Sequence, residues 1–353
     1  MKKTVPAVLL LLLLMLTACA KESNTEQKEG AKSESKQLVL VDWGGEGHKG
    51  REEAYIKRFE KEYGVKVISQ TPPDYGKLKA MVDSGNVEWD VVSAETEFVP
   101  RGVSQGLLEK LDYSVIDKTD ILPWTVDEYG VGAEIYSRSI AYNTDMIKKG
   151  EHPKNWTEFW DTDKYPGKRA MWDYPVGLLE IALMADGVKP TDIYPMDIDR
   201  AFNSLDKIKE HIIWWSSGAE PIQLLASGEV PLADAWNGRV VVARQDGAPM
   251  DIEYAGSTSH ANSWVIPKGA KNKELAMQFI AFMTTAESTA NYSMELPYIP
   301  VNTKAKEMID DEKALAEIEA FESKSDTQVA IDSEWWFENF DSVNERFQQW
   351  LLK

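Results

Sequence analysis

Short apolar runs alternate with amphipathic segments from residue 38 to the end of the chain. The first run, 38–41, contains only leucine and valine, as in strands of a sheet that is covered on both faces. The segment 51–63 carries apolar residues near one face of a helix, and Gly64 is placed to end that helix. A further apolar run, 65–68, predicts the next strand. Strand, helix and strand in this order predict an α/β fold with parallel strands.

The same alternation continues without an internal repeat or a linker. The pattern predicts further helices at 77–84, 156–160, 178–185, 197–211, 221–227, 238–246 and 273–284, and mainly helix from 303 onward. It predicts further strands at 90–92, 139–142, 169–172, 212–215, 230–236, 250–254 and 264–266. These βα units are too many for one compact sheet. We therefore expect two α/β lobes joined by continuous chain, with a ligand cleft between them.

The N-terminus has the features of an exported lipoprotein. Two lysines precede the apolar run 8–16, which is shorter than the roughly 20 residues of a membrane span. The run ends in Leu16-Thr17-Ala18-Cys19, which resembles a bacterial lipobox, where the signal is cleaved before the cysteine and that cysteine is acylated. We expect residues 1–18 to be a signal peptide and Cys19 to be lipidated. The alternative is an ordinary signal peptide with an incidental cysteine.

The segment that follows is a candidate tether. Residues 20–37 are polar, mix both charges and show no apolar periodicity, which predicts disorder. With Cys19, this segment would hold a globular body close to a membrane. The expected location is extracytoplasmic, at the cell surface or in the periplasm, with the membrane as a partner through the N-terminal lipid.

Composition excludes several functional classes. The chain has 39 Lys+Arg against 58 Asp+Glu, a formal net charge of -19, so its surface repels phosphate backbones and nucleic acid is not an expected partner. Cys19 is the only cysteine, and the four histidines lack metal-ligand spacing. No paired carboxylates stand in a recognisable acid/base setting. We expect no metal, no cofactor and no enzymatic activity, with a secreted carboxylate-based hydrolase as the disfavoured alternative.

A set of short motifs carries a family resemblance. The motifs are Asp74-Tyr75-Gly76-Lys77-Leu78, Glu88-Trp89-Asp90-Val91-Val92, Gly106-Leu107-Leu108, Ala141-Tyr142-Asn143-Thr144, Asn155-Trp156, Gly228-Glu229-Val230, Ala235-Trp236-Asn237-Gly238-Arg239, Ile266-Pro267-Lys268-Gly269-Ala270 and Glu334-Trp335-Trp336. Each motif alone is weak, but their order and spacing are specific. From about Leu38 to the C-terminus the chain resembles the solute-binding proteins of ABC importers, in the spermidine/putrescine-binding family. It is more similar still to the branch with γ-aminobutyrate-binding proteins.

The resemblance implies a two-lobed periplasmic-binding-protein fold of type II, the Venus flytrap, in which each lobe is a mixed sheet flanked by helices. The lobes close over a ligand held in the cleft. We expect lobe 1 to comprise 38–141 plus 262–304 and lobe 2 to comprise 142–261 plus 305–353, with crossings near 140–142 and 261–264. Residues 19–37 are the lipidated cysteine and tether.

The resemblance also implies a function. The protein would be a monomer that captures a small amine-type solute, a polyamine or a γ-aminobutyrate-like zwitterion, and delivers it to an ABC transporter permease. A ligand sensor that signals to a membrane partner is an alternative, because the capture chemistry would be the same.

Cleft residues are expected in the loops that follow strand ends. That rule selects Trp43, Glu95, Asp173, Tyr174, Trp236, Arg239 and Asn262. The polyamine binders hold an aromatic residue at the position of Trp43 and a stacking tryptophan in the Trp-Asn-Gly setting of Trp236. An aromatic face suits an alkyl chain and an ammonium group alike. Tyr298 and Trp336 align with cleft residues of the polyamine binders.

Two positions bear on the ligand's charge. The γ-aminobutyrate-like branch has an arginine at the position of Arg239, and a guanidinium binds a carboxylate through two parallel hydrogen bonds. The alternative is that Arg239 pairs internally, for instance with Asp234. Asn262 departs from the family, which usually places an aspartate there to hold the ligand amine. Glu95, together with Glu97 and Asp173, is a candidate to supply the missing charge.

Overall fold

The computed structural model describes residues 36–353. The predicted signal peptide, Cys19 and residues 20–35 of the predicted tether lie outside the described residues. The predicted end of the tether at residue 37 is wrong, because Lys36 and Gln37 already pair in the first strand. In the described part of the chain, no helix combines the length and apolarity needed to cross a membrane.

The described strands form one continuous ten-stranded mixed sheet. They are β1 (Lys36–Val41), β2 (Val65–Gln70), β3 (Val91–Glu95), β4 (Gly130–Asn143), β5 (Arg169–Trp172), β6 (Ile212–Trp215), β7 (Leu232–Trp236), β8 (Met250–Val265), β9 (Ile299–Pro300) and β10 (Val329–Ala330). Their order across the sheet is β2-β1-β3-β8-β4-β7-β5-β6, with β10 beside β8 and β9 beside β4. The expectation that the βα units are too many for a single sheet is therefore wrong, because two long strands extend the sheet.

The helices lie between these strands. They are α1 (Gly45–Arg51), α2 (Lys57–Tyr63), α3 (Tyr75–Ser84), α4 (Phe98–Ser104), α5 (Trp156–Trp160), α6 (Pro175–Ala185), α7 (Ile198–Asp206), α8 (Glu220–Ala226), α9 (Asn237–Gln245), α10 (Lys273–Met283), α11 (Ala286–Glu295), α12 (Glu312–Glu322) and α13 (Ser333–Leu351). A single π-helical turn, Glu52–Ile56, joins α1 to α2, so the first helical segment begins six residues before its predicted start at 51.

The sheet has two ends, each built of parallel strands. At one end β1 pairs in parallel with β2 and β3. At the other end β5 pairs in parallel with β6 and β7. We call the first group, with the helices that pack on it, the first lobe, and the second group, with its helices, the second lobe. The predicted parallel βα units are confirmed at both ends.

Two long antiparallel strands join the lobes. β4 and β8 pair along nearly their whole length, from Gly130 with Val265 to Asn143 with Met250. The sequence pattern predicts only short strands at 139–142, 250–254 and 264–266, because polar residues interrupt the apolar runs. Every residue of β4 is buried, and its polar side chains find partners inside the protein. Buried pairing therefore extends these strands well beyond their apolar segments.

The partners of β4 change near its middle. β9 pairs with β4 at Glu134 and Ile135, whereas β7 pairs with it from Arg138 to Tyr142. The β4–β8 pairing shifts register between Gly132 and Glu134 and again between Arg138 and Ile140. Such bulges bend a strand and change the direction of its side chains. The chain thus passes between the lobes around 136–138, a few residues before the expected crossing. The full lobe limits stay a prediction.

Helix boundaries follow local signals closely where those signals are strong. α5 matches its predicted limits, and Gly64 and Gly85 end α2 and α3 with positive φ angles of 65° and 70°. The predicted helix 197–211 is wrong in its second half, because α7 ends at Asp206 and only a 3₁₀ turn follows at Lys209–His211. The C-terminal helix α13 packs on α6 of the second lobe and also reaches α4 of the first lobe.

Candidate functional site

A narrow cavity lies where β4 and β8 pass between the lobes. About 320 Å³ of it is free of protein atoms, and the centre of a water molecule can reach only about 20 Å³. Aromatic and charged side chains line it together: Trp43, Gly47, Arg51, Glu134, Tyr136, Trp236, Arg239, Asn262, Tyr292 and Tyr298. We call it the inner cavity. The structure brings five sequence-predicted site residues to it: Trp43, Trp236, Arg239, Asn262 and Tyr298.

Arg239 lies on α9 in the wall of the inner cavity and is only 5% exposed. Its Nη2 donates hydrogen bonds to the carbonyl oxygens of Trp43 and Gly44, at 3.1 and 3.0 Å. Its guanidinium carbon lies 5.0 Å from the ring centre of Trp236. Asp234 instead binds Arg138, so the alternative of an Arg239–Asp234 pair is wrong.

The loop after β1 is shaped to admit the Arg239 side chain. Gly45 has a positive φ angle of 57°, and a Cβ atom there would lie 2.5 Å from Nη1 of Arg239. An L-residue with a side chain would strain this backbone conformation and collide with the guanidinium. The glycine therefore allows the loop to close around the arginine and to present its carbonyl groups.

A buried network lies opposite Arg239. Arg51 Nη2 donates to Glu134 Oε1 at 2.6 Å, and Asn262 Nδ2 donates to the same oxygen at 2.8 Å. Arg51 and Glu134 are almost completely inaccessible to solvent. The charge of Glu134 is thus balanced by Arg51. Two arginines and one glutamate leave the cavity wall with one excess positive charge.

Six buried polar atoms of this cavity have no hydrogen-bond partner among the described residues. Four belong to donor groups and two are acceptors. The donors are Trp43 Nε1, Trp236 Nε1, Arg51 Nε and Arg239 Nε, and the acceptors are Glu134 Oε2 and Asn262 Oδ1. An unsatisfied buried polar group costs about 1–3 kcal/mol. The cavity is therefore complementary to a guest that carries both hydrogen-bond acceptors and donors.

Tyr298, just before β9, adds a neutral phenol to the wall. Burial raises its pKa to about 12, although the nearby Arg239 acts in the opposite direction. The hydroxyl therefore keeps its proton near neutral pH and can donate a hydrogen bond.

Four tryptophans form an aromatic wall between the lobes. Trp172 stacks on Trp215 with ring centres 5.4 Å apart, and Trp236 meets both rings edge-on. Trp43 approaches Trp172 and Trp236 at 6.3 and 6.0 Å. Of the two tryptophans that end β6, Trp215 lies in this wall, whereas Trp214 packs on Phe347 and Trp350.

A wider cavity adjoins the inner one and shares Trp43 with it. It encloses about 1230 Å³, part of it open to solvent, and we call it the outer cavity. Glu95 and Tyr174, both selected from the sequence, line it together with Tyr75 and Arg101. The Tyr75 hydroxyl donates to Glu95 Oε2. Burial, with the neighbouring Glu97 as a second cause, raises the pKa of Glu95 well above its usual value.

Three other candidates line neither cavity. Asp173 is half-buried, its backbone N–H binds the carbonyl of Trp215 at 3.0 Å, and burial raises its pKa. Trp336 is fully buried and donates to Glu180 at 2.7 Å. Glu97, at the start of α4, is also buried. A binding role for Asp173 and Trp336 stays a prediction. Among residues 36–353, no group of three or more His, Cys, Asp or Glu is arranged as a metal site.

Sequence reasoning missed several wall residues. Trp172 directly precedes Asp173 at a predicted strand end, so the same rule could have found it. Arg51 begins the apolar face that continues at Ala54 and Tyr55, and a charge on such a face is a usable signal. Glu134 gave no local signal, because it lies inside β4, outside the predicted strand.

Comparisons with known proteins show which family of proteins this chain is similar to. The family model for the bacterial extracellular solute-binding protein matches residues 54–320. The γ-aminobutyric acid-binding protein of Pseudomonas aeruginosa is 35% identical over 331 residues, covering 92% of this chain and 93% of its own length. A spermidine/putrescine-binding periplasmic protein of Haemophilus influenzae is 27% identical over 312 residues, covering 84% of each chain.

Solved structures show the same similarity. A GABA receptor is 41% identical with a TM-score of 0.81, covering 89% of this chain and 97% of the other. AgtB from A. tumefaciens R10, in complex with agropinic acid, is 32% identical with a TM-score of 0.84, covering 90% and 99%. By contrast, AttC of Agrobacterium tumefaciens C58, in an open unliganded conformation, is 26% identical with a TM-score of only 0.64, covering 90% and 99%.

Proposed function

The chain belongs to the bacterial extracellular solute-binding protein family, and we propose that it captures a small zwitterionic amino acid outside the cell for an ABC importer. The two-lobed fold expected from the sequence is confirmed, and so is the similarity to both spermidine/putrescine-binding and γ-aminobutyrate-binding proteins. Its relatives are binding proteins, and the chain is a solute-binding protein rather than an enzyme.

The pairing of unsatisfied donors with unsatisfied acceptors in one cavity carries this proposal. A ligand carboxylate beside Arg239 would accept from its Nε and from the indole N–H groups of Trp43 and Trp236. A charge-assisted hydrogen bond of this kind is about twice as strong as a neutral one. A ligand ammonium would donate to Glu134 Oε2 and Asn262 Oδ1, which the bond between the two side chains keeps adjacent.

The charge of the cavity favours a zwitterion over a polyamine. Arg51 and Arg239 outnumber Glu134, and a polyamine carries several positive charges with no carboxylate to offset them. A zwitterion adds no net charge and places a negative group beside the unpaired guanidinium. Asn262 then serves as a neutral acceptor at the position where the family resemblance implies an aspartate. The γ-aminobutyrate-binding relatives support this ligand class.

Two features support a ligand held between closed lobes. The inner cavity takes Trp43 from the first lobe and Trp236 from the second. The described residues also superpose better on a binding protein in complex with its ligand than on an open unliganded one. We infer that the structure represents the closed arrangement, in which the tryptophan wall encloses the guest.

Calorimetry of the signal-free protein tests the ligand class. We expect saturable heat with γ-aminobutyrate and none with putrescine or spermidine, because only the zwitterion satisfies both ends of the cavity. Glycine betaine, which has a carboxylate but no N–H donor, serves as the matched control and should bind more weakly. Heat from the polyamines alone would contradict the carboxylate assignment.

We propose in addition that Cys19 carries the lipid anchor and that residues 20–35 tether the body to the membrane. The lipobox-like sequence before the sole cysteine supports this, and two acyl chains suffice for stable anchoring. Cys19→Ser should move the protein from the membrane fraction to the soluble fraction, whereas Ser33→Ala should leave it on the membrane. Membrane retention of the Cys19→Ser protein would exclude lipid anchoring.

A sensor function remains the second candidate, because a sensor would need the same closed pocket. The importer and sensor functions are distinguished by measuring uptake of labelled γ-aminobutyrate in cells from which this protein has been deleted. Loss of uptake supports the importer.

A further inference from the structure

Three buried carboxyl groups meet at the boundary between the lobes outside the proposed ligand contacts. Glu95 ends β3 and Glu97 caps the start of α4, both in the first lobe, whereas Glu180 lies on α6 in the second lobe. Their exposed fractions are 2%, 6% and 0%. Within residues 36–353, none of the three forms an ion pair with a lysine or arginine. We call them the carboxyl cluster.

The polar contacts of the cluster come from neutral groups. Glu95 accepts from the Tyr75 hydroxyl, while Glu180 Oε1 accepts from Tyr194 at 2.5 Å and from Trp336 at 2.7 Å. Glu97 Oε1 and Glu180 Oε2 have no partner among the described residues. A buried carboxylate without a cation is costly, and such a group usually becomes neutral instead.

The electrostatic surroundings agree with this geometry. Burial raises the pKa of Glu97 to about 7, the charge of Glu180 adds to the effect, and Arg101 opposes it. Burial also raises the pKa values of Glu95 and Glu180.

The other groups that face the cluster do not neutralise it. They are the phenols of Tyr75, Tyr136, Tyr174 and Tyr194, the guanidinium groups of Arg101 and Arg138, and Asp341 on α13. Arg138 lowers the pKa of Glu180, but its ion pair is with Asp234. The phenols are neutral near pH 7, and Asp341 adds only negative charge. The guanidinium carbon of Arg101 lies 3.7 Å from the ring centre of Phe340.

The cluster exists only while the lobes are together. Arg101 belongs to α4 and Phe340 to α13, so their contact spans the boundary between the lobes beside Glu97. Separation of the lobes would part Glu97 from Glu180 and admit water to Glu97. Hydration restores the charged form of a carboxyl group. The protonation of the cluster is therefore linked to the position of the lobes.

We propose that closing the lobes over the ligand takes up a proton into the carboxyl cluster, so that the protein binds its ligand more tightly as the pH falls. This rests on the proposed function, because it needs a ligand that closes the lobes. The cluster acts as a pH-sensitive element of the closing motion, and it does not touch the ligand.

The direction and size of the pH effect on ligand affinity follow from the linkage between proton binding and lobe closure. In the open form the pKa of Glu97 returns towards its ordinary 4.5, and in the closed form it is about 7. Between these values the closed form binds more protons, so acid favours closure. Glu97 alone then accounts for an uptake of about 0.5 proton at pH 7 and an affinity about tenfold higher at pH 6 than at pH 8.

His48 is another titratable group, but its side-chain hydrogen-bond and ion-pair partners all belong to the first lobe. Its hydrogen bond to Asp42, at 2.8 Å, raises its pKa. Its other polar neighbours, Ser69 and Glu52, also belong to the first lobe.

The test is calorimetry with γ-aminobutyrate in phosphate and in imidazole buffer at pH 6, 7 and 8. The difference in heat between the buffers counts the protons taken up. We expect the wild type to take up about 0.5 proton at pH 7 and to bind about tenfold more tightly at pH 6 than at pH 8. Glu97→Gln carries no charge in either form, so it should bind up to about 30-fold more tightly than the wild type at pH 6, with uptake reduced at pH 7. The exposed Glu88→Gln should behave as the wild type.

Several results would overturn the proposal. They are binding without proton uptake in the wild type, an unchanged proton count in Glu97→Gln, or a 100-fold loss of affinity in Glu97→Gln at every pH, which would mean direct ligand contact. The wild-type proton count decides the question even where Glu97→Gln does not fold. Absence of heat at every pH would instead reject the proposed ligand, so the two failures are distinguishable.

Discussion

Arg239→Ala is expected to weaken γ-aminobutyrate binding by roughly 30-fold to several thousand-fold. Truncating one partner of a buried, hydrogen-bonded charge pair costs about 2–5 kcal/mol, and each 1.4 kcal/mol is about tenfold in affinity. Arg239 is the cation in the inner cavity that no carboxylate of the described residues balances. Calorimetry of the variant against the wild type measures the loss.

Two further variants make this result specific. Arg244→Ala removes the same charge from the same helix, but Arg244 binds Asp251 and Glu317 outside the cavity, so affinity should stay within about twofold. Arg239→Lys keeps the charge but loses the planar fork and should recover only part of the affinity. Unchanged affinity in Arg239→Ala would place the ligand carboxylate elsewhere.

Asp234→Ala is expected to lower the free energy of unfolding by about 3–5 kcal/mol, because it leaves Arg138 as an unpaired buried charge. Both side chains are completely inaccessible to solvent. Arg138 binds Asp234 through Nε at 3.1 Å and through Nη2, and its Nη1 donates to the carbonyl of Val176 at 2.6 Å. The pair ties β4 to β7 at the point where the chain enters the second lobe.

Urea unfolding of the signal-free protein measures this change. The control is Asp83→Ala, which removes an exposed partner of Lys79 on α3 and should cost at most about 0.5 kcal/mol. A loss below about 1 kcal/mol in Asp234→Ala would mean that water or a rearranged side chain compensates Arg138. Asp234 lines neither cavity. The ligand affinity of the folded Asp234→Ala protein, measured without urea, should therefore change little.

Sequence reasoning found much of the site through one topological rule. Side chains that follow the carboxyl ends of parallel strands gather at one edge of a sheet, and this rule located Trp43 after β1 and Trp236 at the end of β7. Asn262 came from the family resemblance as well as from its neighbouring strand. The rule works because βα connections are short, so position along the chain predicts position on the sheet.

The rule could not find the opposite wall of the cavity. Glu134 lies within β4, and its ion pair with Arg51 spans 83 residues along the chain. Such pairs leave no periodic pattern, because each partner is locally an ordinary charged residue. The same holds for Arg138 and Asp234, which are 96 residues apart.

The sequence by itself determined the α/β class, the two lobes, the family and the presence of an arginine suited to a carboxylate. Hydrophobic period, glycine caps and motif order carry that information, since each depends on neighbours along the chain. Only the tertiary structure decided that Arg239 lacks a carboxylate partner, that Glu134 is balanced by Arg51, and that Glu97 and Glu180 are buried without a cation partner. Charge balance depends on distance and burial in space, and a linear sequence specifies neither until the chain is folded.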